Sequence, residues 1–174
     1  GRFNPDNAED GDDGLDMVRS VTEDEVLALK PPSDREGREA FDPDLTESLV
    51  DAIRWFCLCV AVRAVRGQAH RHTSMLVHTT HFVTPHFTMQ DRLRDVLEDL
   101  NSEVTRGVRG EFQEVWDREA AATEVPEAFE EVWGALIDVV PAIKVVVDNG
   151  YSEDRLDYDV TDGEGGPVPQ YVIA

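Results

Sequence analysis

The sequence predicts an α/β domain: a three-layer sandwich around a mostly parallel sheet, with an added helical segment. Three observations carry that prediction. IKVVVDN, Ile143 to Asn149, is a continuous β-branched run of the kind found in a central parallel strand covered on both faces. Two further short apolar runs, SMLVHTT (Ser74–Thr80) and QYVIA (Gln170–Ala174), have the length and composition of buried strands. Long helical stripes separate the first two runs, so the connection between them is a helical crossover, which joins parallel strands.

Taken in order, residues 1–44 carry 14 acidic and five basic side chains and the break LKPPSD. Their low apolar density predicts an acidic, largely extended arm or linker, with a short helix over Glu23 to Leu29. A change in composition follows at Leu45, where a domain spanning 45–174 begins. Leu45, Leu49, Ile53, Phe56, Val60 and Ala64 recur at three- and four-residue steps, and Gly67 supplies a stop. Within this helix WFCLCVAV (Trp55–Val62) is apolar all round, which predicts packing on more than one side. Cys57 and Cys59 belong to that run and read as buried filler.

After the SMLVHTT strand, Met89, Leu93, Val96, Leu97, Leu100 and Val104 form a second stripe, backed by Asp91, Arg92, Asp95, Glu98 and Asp99. Gly107 and Gly110 interrupt it. Two more helices are expected around Phe112, Val115 and Trp116, and around Phe129, Val132, Trp133, Leu136 and Ile137, the latter opened by Pro126. Asn149-Gly150 closes the IKVVVDN strand with a turn, and TDGEGGPVP is a polar loop before QYVIA. No internal repeat is present.

The 174 residues include 37 acidic and 16 basic side chains, a formal net charge of -21, and only two lysines, Lys30 and Lys144. Such a balance suits a salt-adapted proteome or a GC-rich genome as well as a simply soluble acidic surface, and it excludes a broad electrostatic grip on nucleic acid. It leaves room for a local basic strip. Two cysteines give no disulfide framework, and no apolar run approaches the roughly 20 residues that span a bilayer, so a cytoplasmic protein with no membrane partner is expected. The opening without Met and the ending on an apolar strand fit a piece of a longer protein, truncated at its C-terminus.

Phosphate-loop chemistry is not encoded here. No GxxxxGK[ST] motif occurs, and DGEGGP lacks the strand before and the helix after that a dinucleotide loop requires. His70, His72, His78, His81 and His86 are spread over loops and a strand end, which does not suit a tetrahedral metal site, and no metal is assigned. Asp148 with Asp157 or Asp159 is the one carboxylate pair worth weighing for metal-dependent phosphodiester cleavage, and solvated charge is the better account.

The strongest signal is an acid-free window. From Ala52 to Gln90 there is no Asp or Glu, yet the stretch holds Arg54, Arg63, Arg66, Arg71 and all five histidines. Burial explains the apolar helix. It does not explain the cations that follow, and Arg63, Arg66, Arg71, His78, Thr79, Thr80 and His81 are the candidate phosphate-binding residues, gathered where ligands collect outside the carboxyl ends of parallel strands.

The Arg63–Gly67 segment R-x-x-R-G, a His-bearing loop, SMLVH followed by Thr79 and Thr80, then IKVVVDNG and QYVIA resemble the Z1 domain of restriction-type endonucleases. The resemblance covers Leu45 to Ala174. It implies a larger protein of restriction or anti-phage defence with a superfamily-II helicase-like core, in which this piece is part of the second RecA-like lobe. ATP and Mg would belong to the parent protein and none to this piece, because the ATP-binding loop sits in the missing first lobe; catalytic residues remain unknown. Two functions follow. The piece engages DNA for its parent, or it is an interaction module that docks the missing ATPase lobe or another protein without touching DNA, its arginines pairing carboxylates.

Overall fold

In the computed structural model, residues 18–147, 158–159, 161 and 168–174 are described. They form a mixed α/β structure in which helices outweigh a three-stranded parallel sheet. The order is α1 (Glu23–Ala28), α2 (Arg35–Glu39), α3 (Glu47–Val65), β1 (Thr73–Met75), α4 (Val83–Arg106), α5 (Gly110–Ala122), α6 (Phe129–Val139), β2 (Ile143–Val145) and β3 (Tyr171–Ile173).

Residues 18–44 are less extended than their composition suggests. Thr22 caps α1 through a capping box with Glu25, and Asp34 caps α2 by accepting from the Gly37 N–H at 2.7 Å. Helix α1 is the short helix expected; α2 was not expected, because REGRE has no apolar periodicity and only its cap announces it. Asp42 pairs with Arg92 of α4, and Arg38 lies over the Phe82 ring at 4.2 Å, which pins the end of this segment to the body.

Helix α3 runs through the middle of the molecule. Ile53, Phe56, Cys57, Leu58, Val60, Ala61 and Val62 are all buried, as an all-round apolar run requires. It ends where Gly67 adopts φ 71°, with Gly67 N–H donating to Ala64 O and Gln68 N–H to Arg63 O, a Schellman motif that a side chain at position 67 would strain. Gly107 ends α4 in the same way at φ 73°. Met89, Leu93, Leu97, Leu100 and Val104 of α4 face the core as predicted. An aromatic lattice joins α3, α5 and α6: Trp55 meets Trp116 at 6.2 Å, Trp116 meets Phe129 at 5.9 Å, and Phe112 meets Trp133 edge-on at 5.6 Å. Two details of α6 differ from expectation. Ile137 is exposed, and the helix starts at Phe129 after an Ala128 cap, so Pro126 stands in the preceding loop rather than in the first turn.

The strand order is β1-β3-β2, all parallel, with Thr73 opposite Tyr171 and Ile143 opposite Tyr171. This corrects the assignment of IKVVVDN as the central strand. Among the described strands β3 is central, with Tyr171, Val172 and Ile173 all buried, while β2 lies at an edge and alternates buried, exposed, buried because Lys144 faces solvent. The β1 run is shorter than SMLVHTT, since Thr73–Met75 form the ladder, the Val77 N–H donates to Ala174 O at 2.7 Å, and the chain then leaves the sheet. Asn149, Gly150 and most of the polar loop lie outside the described residues.

Candidate functional site

The parallel sheet has an amino edge and a carboxyl edge, and the candidate residues divide between them. Arg63, Arg66 and Arg71 precede β1. Arg63 donates from Nη1 to His72 O at 3.2 Å. Arg66 grips Glu127, in the loop between α5 and α6, through Nε at 2.5 Å and Nη2 at 2.8 Å, and this fork holds the Glu127 carboxyl below its usual value. Arg71 is exposed. The same edge is tied to β3: His72 Nδ1 accepts from the Gln170 N–H at 3.1 Å, and the Tyr171 hydroxyl donates to Ala69 O. These cations therefore stand at the wrong end of the strands for the ligand position expected of them. Strand direction decides this, since a residue just before a parallel strand and one just after it are on opposite edges of the sheet.

His78, Thr79, Thr80 and His81 are at the carboxyl edge, in the loop between β1 and α4. Thr80 is buried, its Oγ1 accepting from the Phe82 N–H at 3.2 Å and its carbonyl accepting from His86 Nε2 at 2.8 Å. Because a carbonyl oxygen only accepts, this bond assigns the His86 proton to Nε2. The loop is thus folded back onto the first turn of α4 while His78 and His81 are exposed. That first turn contains no acid, and no side chain caps it.

His78, Thr79, Thr80, His81 and Phe82 form one wall of a cavity of about 1140 Å³. Leu49, Ala52, Trp55 and Phe56 of α3 line it too, as do residues of the segment from Arg19 to Pro31. None of Arg63, Arg66 and Arg71 lines it.

The far side of the cavity holds an ion chain that the sequence did not reveal, because its members are 100 and 67 residues apart. Arg19 donates to Glu119 from Nε at 3.3 Å and Nη2 at 2.6 Å; Arg118 joins Glu119 at 2.8 Å to Asp51 at 3.0 Å. Burial pushes the Glu119 carboxyl up, but the hydrogen bonds from Arg19 and Arg118 outweigh it and leave the group below its usual value. A second cluster surrounds Arg54, buried in α3, which pairs with Asp51, Glu103 and Glu111. There burial pushes Glu103 up against the opposing pull of Arg54. Its only signal in the sequence is a lone arginine inside an apolar helix.

Burial raises the Cys57 thiol to about 12 and the Cys59 thiol to about 11, which suits core filler and not redox chemistry. Among the described residues no group of three or more His, Cys, Asp or Glu side chains is arranged to hold a metal ion. Asp148 and Asp157 lie outside the described residues, and Asp159 is exposed.

The family model for the Z1 domain matches residues 48–168, a span that runs from α3 through both sheet edges and past β2. The chain belongs to the Z1 domain family. No curated protein and no solved structure matches it. Residues 18–31, whose cavity-lining members run from Arg19 to Pro31, precede the Z1 match. No helix among the described residues of this Z1 protein is long and apolar enough to cross a membrane.

Proposed function

We propose that this Z1 domain is the DNA-engaging lobe of a larger ATP-dependent protein with a RecA-like helicase core, an endonuclease or translocase of restriction or anti-phage defence. Residues 45–174 would be the lobe and residues 1–44 its arm. ATP and Mg would belong to the ATPase lobe elsewhere in that protein. The single observation that carries the reading is the acid-free wall at the carboxyl edge of β1, where His78, Thr79, Thr80 and His81 meet the uncapped N-terminus of the 24-residue α4 beside an open cavity.

In an otherwise acidic chain, that wall is where a phosphate meets least repulsion. Helix N–H groups and the positive end of the helix dipole attract an anion, threonine hydroxyls donate to its oxygens, and imidazoles add charge when protonated. The cavity, at about 1140 Å³, exceeds the usual ~300–1000 Å³ of small-molecule pockets. Contacts of this kind position a backbone and carry no sequence information, as a translocating lobe requires.

The decisive experiment is DNA binding by the intact protein as a function of salt. His78→Glu with His81→Glu is expected to lower affinity about tenfold and to flatten the salt slope by about one to two phosphate contacts, each worth roughly 0.9 in the logarithmic slope. Arg66→Glu with Arg71→Glu is expected to leave both unchanged. A loss confined to the arginine pair would move the site to the amino edge and overturn this reading.

One observation favours the second reading, in which the same face docks a neighbouring lobe or a partner protein without DNA contact. Leu76 is 76% exposed and Phe87 42% exposed, on either side of the loop. Under that reading Leu76→Ser with Phe87→Ser would abolish assembly while the histidine pair leaves DNA affinity untouched.

A further inference from the structure

We infer that residues 18–31 are a releasable strap that covers the carboxyl-edge cavity and is latched by the Arg19–Glu119 ion pair. The inference rests on the reading of that cavity as the DNA site, and adds its regulation.

Four observations carry it. The strap lines the cavity along its length, through Arg19, Val21, Glu25, Val26, Leu29 and Lys30. It does so without packing into it: α1 buries no residue, and Val18, Val21, Val26 and Leu27 are all exposed. An element held by core burial would look different, since apolar area removed from water is the main source of fixed packing. Its first end is held by charge, through the two bonds from Arg19 to Glu119, and its second end by Leu29 and the buried Pro31, which pack on the body and serve as the hinge.

The strap also brings charge of both signs to the cavity. Glu23, Asp24 and Glu25 occupy the first turn of α1, and of the strap's charged residues Arg19, Glu25 and Lys30 line the cavity, to which the body adds Glu47, Asp51 and Glu119. Arg118 sharpens the latch, because it holds Glu119 in place from the other side and ties it to Asp51 on α3. The latch is ionic and partly exposed, so salt loosens it.

Cys59 is a built-in reporter. It lines the cavity and senses Glu119, whereas Cys57 is fully buried. In the intact protein, the labelling rate of Cys59 by an uncharged maleimide at fixed pH is measured for wild type and Arg19→Glu, with Cys59→Ser as the blank. DNA affinity is measured in parallel. Arg19→Glu is expected to speed labelling about two- to fivefold, the shift a part-exposed ion pair supplies, and to tighten DNA binding by a similar factor. Unchanged labelling overturns the latch. Faster labelling with unchanged DNA affinity, in a protein whose wild type binds DNA, overturns the strap as a cover of that site. If neither protein binds DNA, the functional reading is what fails, and faster labelling still supports the strap as the lid of the cavity.

Discussion

The two edges of the sheet come from one acid-free stretch of chain and have opposite fates. At the amino edge, Arg63, Arg66 and His72 are taken up by partners within the chain: one arginine donates to a backbone carbonyl, one grips Glu127 at the surface, and the imidazole accepts the Gln170 N–H. At the carboxyl edge, His78 and His81 are exposed beside a cavity and the helix behind them is uncapped. Residue type alone therefore does not mark a site. An arginine with a bidentate carboxylate partner already has its donors engaged, while a histidine just past the end of a strand can stay exposed.

The largest effect is expected where both edges depend on one residue. Ile173 is fully buried in β3 and stands opposite both Met75 and Val145, so Ile173→Ala should cost about 2–5 kcal/mol in urea unfolding and disturb both edges together. A loss below about 1 kcal/mol would show that β3 does not couple them.

Next, His72→Ala should separate the edges. It leaves the Gln170 N–H without its acceptor and removes the edge-on contact with Tyr158 at 5.1 Å, for a loss of about 1–3 kcal/mol, with DNA affinity unchanged. The His78→Glu, His81→Glu pair should do the reverse, changing stability by no more than about 0.5 kcal/mol. If both variants move the same observable, the division between a structural and a binding edge is wrong.

The smallest effect is a matter of pH. Arg66 holds the Glu127 carboxyl below the usual 4.5, so the pair contributes stability that is fully present above that value and is lost as pH falls through the lowered folded one. Glu127→Gln should make the acid limb of the stability curve shallower. Glu103 has the opposite sign, because burial raises it: its charged form opposes folding, and the penalty disappears as pH falls through its raised value. Glu103→Gln should therefore steepen the net acid destabilisation. Equal acid limbs in wild type and Glu127→Gln would remove the ion pair from the account of the amino edge.

Much of the fold was legible. The stripes of α3 and α4 are periodic over many turns, and Gly67 and Gly107 stop them for the reason glycine usually does. The central strand was misassigned because a continuous β-branched run signals burial of both faces, whereas the order of strands depends on which segments meet in space, and QYVIA, though short, takes the middle place. The placement of the histidine loop was legible for a similar reason. The loop from His78 to His81 follows a strand directly, so its edge is fixed by chain direction; Arg63, Arg66 and Arg71 looked like its neighbours only because they are near it in sequence.

Sequence alone determined the helical stripes, the three β runs, the acid-free window and the resemblance that the Z1 family match bears out. These depend on local periodicity and composition, which are properties of neighbouring residues. Only the tertiary structure decided that β3 is central, that the arginines and the histidine loop lie on opposite edges, and that Arg19 meets Glu119 across 100 residues. Those are contacts between distant segments, and they are settled by how apolar faces pack and which charges are brought together as they do.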